Sequence, residues 1–286
     1  MKIAEKYLWF GSGILIGGIV IGGVIIGGII INLISIGTAA TGWLSFGKSP
    51  KPIFAQAADL QQLLPASPEL SKKCKKILGL KEIWQPADKT NYGFRRPKDL
   101  AGGRIPNQPS LIVLHETVLP LDPTLKLFST PHPNDTQQVS YHLVLAGDGS
   151  LYRIVADEFR AYGAGWSAWG DSTIRHRGSK IPAAAGSINN VALHISLVSP
   201  ADGAGNSDGH SGYSNQQYSQ LAQQVLLWQL RWGIPMRRVT NHASIDRSHS
   251  RSDPRSFRWH LFDRAWQVAA KRCNVNARYS IDARLR

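Results

Sequence analysis

The sequence predicts a mixed α/β domain built around one sheet, preceded by one N-terminal transmembrane helix. Three observations predict it. After residue 100, short apolar runs alternate with amphipathic stretches, the pattern of strands buried in a sheet and helices packed on it. Between Ser214 and Trp232 the apolar residues recur at helical spacing. From Tyr7 to Ile31 there is no charged residue at all, and most positions are Ile, Val, Leu or Gly.

The uncharged run comes first in the chain. As a helix it would extend about 37 Å, enough to cross the hydrocarbon core of a bilayer with some tilt. Glycine pairs at 17/18, 22/23 and 27/28 create small-xxx-small spacings, through which two such helices could associate in lipid as a homodimer. In water the same glycines would weaken a helix. The run exceeds the apolar core of a cleavable signal, and Ala55-Gln56-Ala57 lies far beyond it, so an uncleaved anchor is expected over 7–31 behind a short segment 1–6. Lys2 and Lys6 on one side face Lys48 and Lys51 on the other, so charge leaves its orientation open. Residues 32–89 read as a linker and small adaptor. Pro50, Pro52, Pro65 and Pro68 interrupt it, and SKKCKKILGLKEI offers one short basic amphipathic turn or helix.

In the remainder, Leu111–Leu114 is a continuous apolar run suited to a buried strand. Tyr141–Val155 reads as a hairpin turning at Gly147-Asp148-Gly149. Val191–Val198 is a second central strand. Ser214 caps a helix whose core-facing stripe is Tyr218, Leu221, Ala222, Val225, Trp228 and Trp232, and Gly233 ends it. A second helix is expected from Trp259 to about Cys273. The loop SPADGAGNSDGHSG belongs at the surface, with His210 expected in water.

Composition limits the partners. Among 286 residues, 33 Lys+Arg stand against 19 Asp+Glu, a formal net charge of +14. An anionic partner follows: nucleic acid, anionic lipid or wall polymer. No nucleic-acid-binding motif is present, and a membrane anchor fits poorly with that partner. A hydrophobic content of 43 % with 18 % charged residues excludes both a disordered tail and a multi-pass membrane protein. Two cysteines exclude a disulfide-dense scaffold and a zinc site made only of thiolates. Cys74 and Cys273, each in a basic context, are read either as a bridge tying the adaptor to the last helix or as two buried thiols.

The chemistry concentrates in histidines. His115 directly follows LIVL, at the end of a strand where side chains converge on a cleft. His242 follows IPMRRVTNH, beyond another short strand, and Asp253 comes 11 residues later in SRSDP. Two imidazoles and one carboxylate, with a fourth position for water, form the usual catalytic zinc complement. Scattered triples of this kind also arise by chance, so spacing alone leaves both readings open.

The words LIVLHET, VSYHLVLAGDGSLYRIV, FRAYGAGWS, VALHISLV preceded by Ser187-Ile188-Asn189-Asn190, and NHASIDRSHSRSDP occur in an order that resembles zinc-dependent N-acetylmuramoyl-L-alanine amidases. These include AmpD-like and phage lysozyme-like amidases and the peptidoglycan recognition proteins. TNYGFR (Thr90–Arg95) resembles the extended lead-in ahead of their first strand. The resemblance spans Thr90 to Cys273 and implies a mixed central β-sheet flanked by α-helices, an amidase domain over 90–275 and a tail over 276–286. It implies His115, His242 and Asp253 as ligands of Zn2+, and hydrolysis of the amide between N-acetylmuramic acid and L-alanine in peptidoglycan or muropeptides. Tyr141 matches the tyrosine beside the metal-bound water in some branches, and His142, on the opposite strand face, is expected to be structural.

Several positions depart from the pattern. Ser196 stands where many AmpD-like members carry a glutamate base; a serine at this place is also seen in the recognition-protein branch. Arg251 replaces a lysine two residues before the third ligand; it keeps the charge that stabilises an oxyanion but cannot shuttle protons. The histidine common in the AWHAG-like word is Gly163. His249 is a rival third ligand, and Glu116 a carboxylate of unknown direction. These departures motivate an alternative, a peptidoglycan-binding or sensing module without activity. A wall-degrading domain has to face the wall, so a single-pass protein of the bacterial inner membrane is expected, its catalytic domain on the periplasmic side.

Overall fold

A computed structural model describes residues 66–99, 102–169, 186–205 and 208–275. In chain order the elements are α1 (Pro68–Leu78), β1 (Ile83–Trp84), β2 (Tyr92–Phe94), β3 (Leu111–Glu116), α2 (Leu121–Ser129), β4 (Leu143–Leu145), β5 (Leu151–Arg153), β6 (Phe159–Ala161), β7 (Ala192–Leu197), α3 (Asn215–Trp232), β8 (Val239–Asn241), α4 (His242–Ile245) and α5 (Trp259–Arg272). Every residue of β3 and of β7 is buried, as a strand covered on both faces requires. They form the middle of a six-stranded sheet in the order β1-β5-β4-β7-β3-β8. β4, β7, β3 and β8 run parallel, while β5 returns antiparallel to β4 through the expected hairpin and pairs in parallel with β1. β2 and β6 make a separate antiparallel pair. The mixed sheet with flanking helices agrees with the sequence reading.

Alternation along β3 and β7 sorts the two faces. Ile112, Leu114, Leu193, Ile195 and Leu197 point into one large core, shared with Leu221, Val225 and Trp228 of α3 and with Phe262 and Trp266 of α5. Each such buried side chain contributes roughly 1.5–3 kcal/mol by leaving water. The opposite face carries Val113, His115, His194 and Ser196, which the register sets side by side: Val113 pairs His194, and His115 pairs Ser196. Long helices therefore fill one side of the sheet, and the polar groups gather on the other.

The capping of α3 follows its sequence signals. Ser214 Oγ accepts from the Gln217 amide at 3.1 Å, and Gln217 Oε1 accepts from the Ser214 amide at 3.0 Å, a reciprocal capping box. Gly233 ends the helix in the left-handed region at φ 68°. The segment read as adaptor contributes α1 and β1, and α1 packs its Cys74 and Leu78 into the large core. Cys74 and Cys273, separated by 199 positions in sequence, form a disulfide with Cα atoms 5.2 Å apart, which resolves the two readings of these cysteines.

The expected inner-membrane placement has to be corrected. Among the described residues, no helix is long and apolar enough to cross a membrane. The run 7–31 on which the anchor and the helix-mediated pairing rested, like the tail 276–286, lies outside the described residues.

Candidate active site

Three segments deliver the candidate ligands. His115 sits near the end of β3, fully buried. His242 opens α4 directly after β8, where Asn241 Oδ1 caps the short helix by accepting from the Ser244 amide at 2.9 Å. Asp253 lies in the loop that follows, its carbonyl accepting from the Ala243 amide at 3.1 Å. This hydrogen bond brings the loop back against the start of α4. The structure thus gathers His115, His242 and Asp253, with one candidate ligand atom from each inside 4.8 Å of the others.

Finer distances fit a metal. His242 Nδ1 is 3.0 Å from Asp253 Oδ1, and His115 Nδ1 is 3.4 Å from Asp253 Oδ2. Tetrahedral zinc with bonds of about 2.0–2.1 Å spaces its donors by about 3.3 Å. His115 Nδ1 is buried, and the approach of Asp253 Oδ2 at 3.4 Å makes at most a weak hydrogen bond, a deficit that a bound cation would remove. Electrostatics favour the ligating forms. Burial drives the His115 imidazole down to about 4, against the pull of Asp253. Burial would raise the Asp253 carboxyl, but hydrogen bonds and charge from the two histidines hold it well below the usual carboxylate range.

Around the trio stand the other expected residues. The Tyr141 ring lies 4.6 Å from that of His115, centroid to centroid. Burial, reinforced by the Asp253 charge, pushes its phenol up, so it stays protonated and able to donate. Ser196 of β7, in register with His115 of β3, is fully buried, and its hydroxyl interacts with the Tyr141 phenol. Arg251 is exposed, yet its charge is felt by both His115 and Tyr141. His249 is exposed and stands outside the trio.

Other residues that the sequence reading undervalued hold this arrangement. Asp246 accepts the amides of Ser248, Ser250 and Arg251 at 2.9, 2.7 and 2.9 Å, shaping the loop towards Asp253. Glu116 points away from the trio, to the other face of β3. There its carboxylate pairs with Arg255 and accepts from His210 Nε2 at 3.0 Å and Tyr213 Oη at 2.9 Å. His210 is therefore not in water as expected; its side chain is fully buried. His142 is structural as expected: its Nδ1 accepts from the His194 amide at 2.9 Å. Arg95, at the end of TNYGFR, is buried and donates to the carbonyls of Asp157, Asn190 and Ala192, fixing the lead-in across β7.

A family model described as N-acetylmuramoyl-L-alanine amidase matches residues 105–256. No curated protein matches the chain. Among solved structures, a selenomethionine derivative of AmpD is 22 % identical over 65 % of this chain and 96 % of its own, with a TM-score of 0.46. AmpD of Citrobacter freundii is 22 % identical over 65 % of this chain and 90 % of its own, TM-score 0.43. AmiD of E. coli, solved with anhydro-N-acetylmuramic acid-L-Ala-D-gamma-Glu-L-Lys, is 19 % identical over 62 % of this chain and 66 % of its own, TM-score 0.42. Since the family match spans more than half of its length, the chain belongs to the N-acetylmuramoyl-L-alanine amidases.

Proposed function

We propose that the amide hydrolysis of this family takes place here at a zinc ion held by His115, His242 and Asp253, on peptidoglycan or the muropeptides released from it. The observation that supports this reading is the buried Nδ1 of His115, only weakly paired within the protein and set with His242 and Asp253 at tetrahedral spacing. Zinc in this place supplies a Lewis acid that polarises the amide carbonyl and makes the attacking water acidic near neutral pH. Everything else falls to side chains of the protein. The protonated Tyr141 phenol donates a hydrogen bond to oxygen that gains negative charge as the carbonyl is attacked. Arg251 adds positive charge at the same place and, with its very high intrinsic pKa, keeps its proton throughout. Ser196 orients groups beside Tyr141 and cannot act as a base at neutral pH, which distinguishes this centre from members with a glutamate there. The excess of 14 positive charges suits an anionic wall polymer.

A zymogram on purified wall material tests the reading, run with chelator and then with added zinc. Clearing that a chelator abolishes and zinc restores is expected; wall binding without clearing overturns it in favour of a binding module. Metal analysis of variants separates the two candidate third ligands. Asp253→Ala should lose both stoichiometric zinc and hydrolysis, whereas His249→Ala should retain the metal. Full zinc in the first and loss in the second would overturn the ligand set.

A further inference from the structure

The largest unexplained polar group near the site is His194. It is fully buried in the middle of β7, and its Nδ1 lies 2.9 Å from Nε2 of His115. Its other nitrogen, Nε2, is buried with no partner in the protein. For packing alone this is a poor choice of residue. A buried polar atom left without a hydrogen bond costs about 1–3 kcal/mol, and an apolar side chain of similar volume would avoid that cost.

The neighbour of His194 adds a second observation. A Cβ placed on Gly163 would come within 2.6 Å of His194 Cγ and 2.7 Å of its Nδ1. Gly163 is not among the residues with positive φ, so glycine is needed there for space and not for backbone conformation. The segment is pinned against β7 by Asn189, whose Oδ1 accepts from the Ala164 amide at 2.9 Å and whose Nδ2 donates to the Ala164 carbonyl at 2.7 Å. Here the space that a side chain at 163 would enter is filled by an imidazole arriving from β7.

We infer that His194 is a positioning residue for the metal centre, its Nδ1 accepting the Nε2 proton of His115 and so fixing the tautomer and ring plane in which His115 Nδ1 faces His242 and Asp253. The inference rests on the zinc reading above. Ligation through Nδ1 leaves the neutral His115 ring with its proton on Nε2, and His194 Nδ1 is the group in reach to accept it. His194 then carries its own proton on Nε2, the unpartnered atom. His142 locks the strand at this residue through its bond from the His194 amide and stacks on the ring, with 5.8 Å between centroids and 15° between planes. Partners of this kind hold a ligand's orientation, and losing one typically weakens metal binding 10–100-fold.

The test is zinc affinity of the full-length protein by chelator competition, with the thermal midpoint of each metal-free variant measured alongside. His194→Leu keeps the volume and removes the acceptor; it should bind zinc 10–100-fold more weakly while the metal-free midpoint stays or rises. His194→Asn places an amide oxygen close to where Nδ1 stood and should bind within about threefold of the parent. A purely structural role predicts the reverse order, since Leu suits a buried site better than Asn. Leu and parent affinities that coincide, or Asn as weak as Leu, overturn the inference. Should His194→Leu fail to fold, His194→Ala decides: a tenfold or greater loss of affinity supports the role, and an unchanged affinity overturns it. A parent protein that binds no zinc defeats the zinc reading itself, and that result is recognisable before any variant is made.

Discussion

On the proposed reading, Arg251 and Tyr141 meet the developing negative charge, and neither holds the metal. Arg251→Ala should therefore keep full zinc and lower kcat about 10²-fold, the usual effect of removing one such donor. Tyr141→Phe should do the same with KM little changed; metal analysis with steady-state kinetics on a soluble muropeptide checks both. Loss of metal in either variant would place that side chain in the ligand shell instead. The gathering of the trio was legible: His115 ends a short apolar run, His242 follows a short strand candidate, and Asp253 lies in words that resemble the family. His194 was not. Alternation places it in a strand, but nothing in VALHISLV says that its ring fills the space above Gly163, thirty-one residues earlier. His210 misled for a related reason: a loop rich in Gly, Ser and Asp reads as hydrated, and its buried partner Glu116 is 94 residues away in sequence.

The Asp253 loop illustrates how an irregular segment is held in place to present a candidate ligand. One end is wound around Asp246, and the other is anchored where Arg255 meets Glu116 and donates to the carbonyls of Gly203 and Gly205 at 2.6 and 3.1 Å. β3 thus supports the site through both faces, His115 towards the trio and Glu116 towards the loop's anchor. Arg255→Met would strand a buried carboxylate, so it should destabilise the fold by about 3–5 kcal/mol. Urea denaturation measures this, and a change below about 1 kcal/mol would mean that the pair is dispensable. Helix α3 was readable down to its caps, because Ser214 and Gly233 act locally, whereas α2 and α4 were not anticipated. The packing of α1 was not readable either: its basic stretch reads as a short turn or helix, while burial of Cys74 and Leu78 against α3 and α5 depends on residues some 150 to 200 positions away.

Non-local charge pairing, more than local propensity, joins α1 and β1 to the rest of the fold. Glu82 accepts from Lys75 of α1 at 3.0 Å and from Arg153 of β5 at 2.8 Å. Arg153 continues to Asp157 at 2.6 Å, and Asp157 receives the Trp228 indole of α3 at 3.0 Å. The disulfide holds the same helix from its other side of the sequence, and in the chain-entropy view closing so long a loop stabilises by about 5 kcal/mol. Separating these two contributions is possible because only one of them titrates. Burial alone would raise the Glu82 carboxyl, but hydrogen bonds and charge from Arg153, then Lys75, bring it down to about 2 from 4.5. The unfolded chain thus takes up the proton first, so this stabilisation is complete above pH 4.5 and disappears as the pH falls towards 2. Because the pair is partly screened by water, it is worth about 1–2 kcal/mol and not the full linkage value. Glu82→Gln should accordingly be less stable than the parent by about that amount at pH 7. The two unfolding curves should converge near pH 2–3, with the disulfide intact in both. A difference that stays constant from pH 7 to pH 2 would show that the substitution acts through packing, and that the network carries no charge-dependent share of the fold.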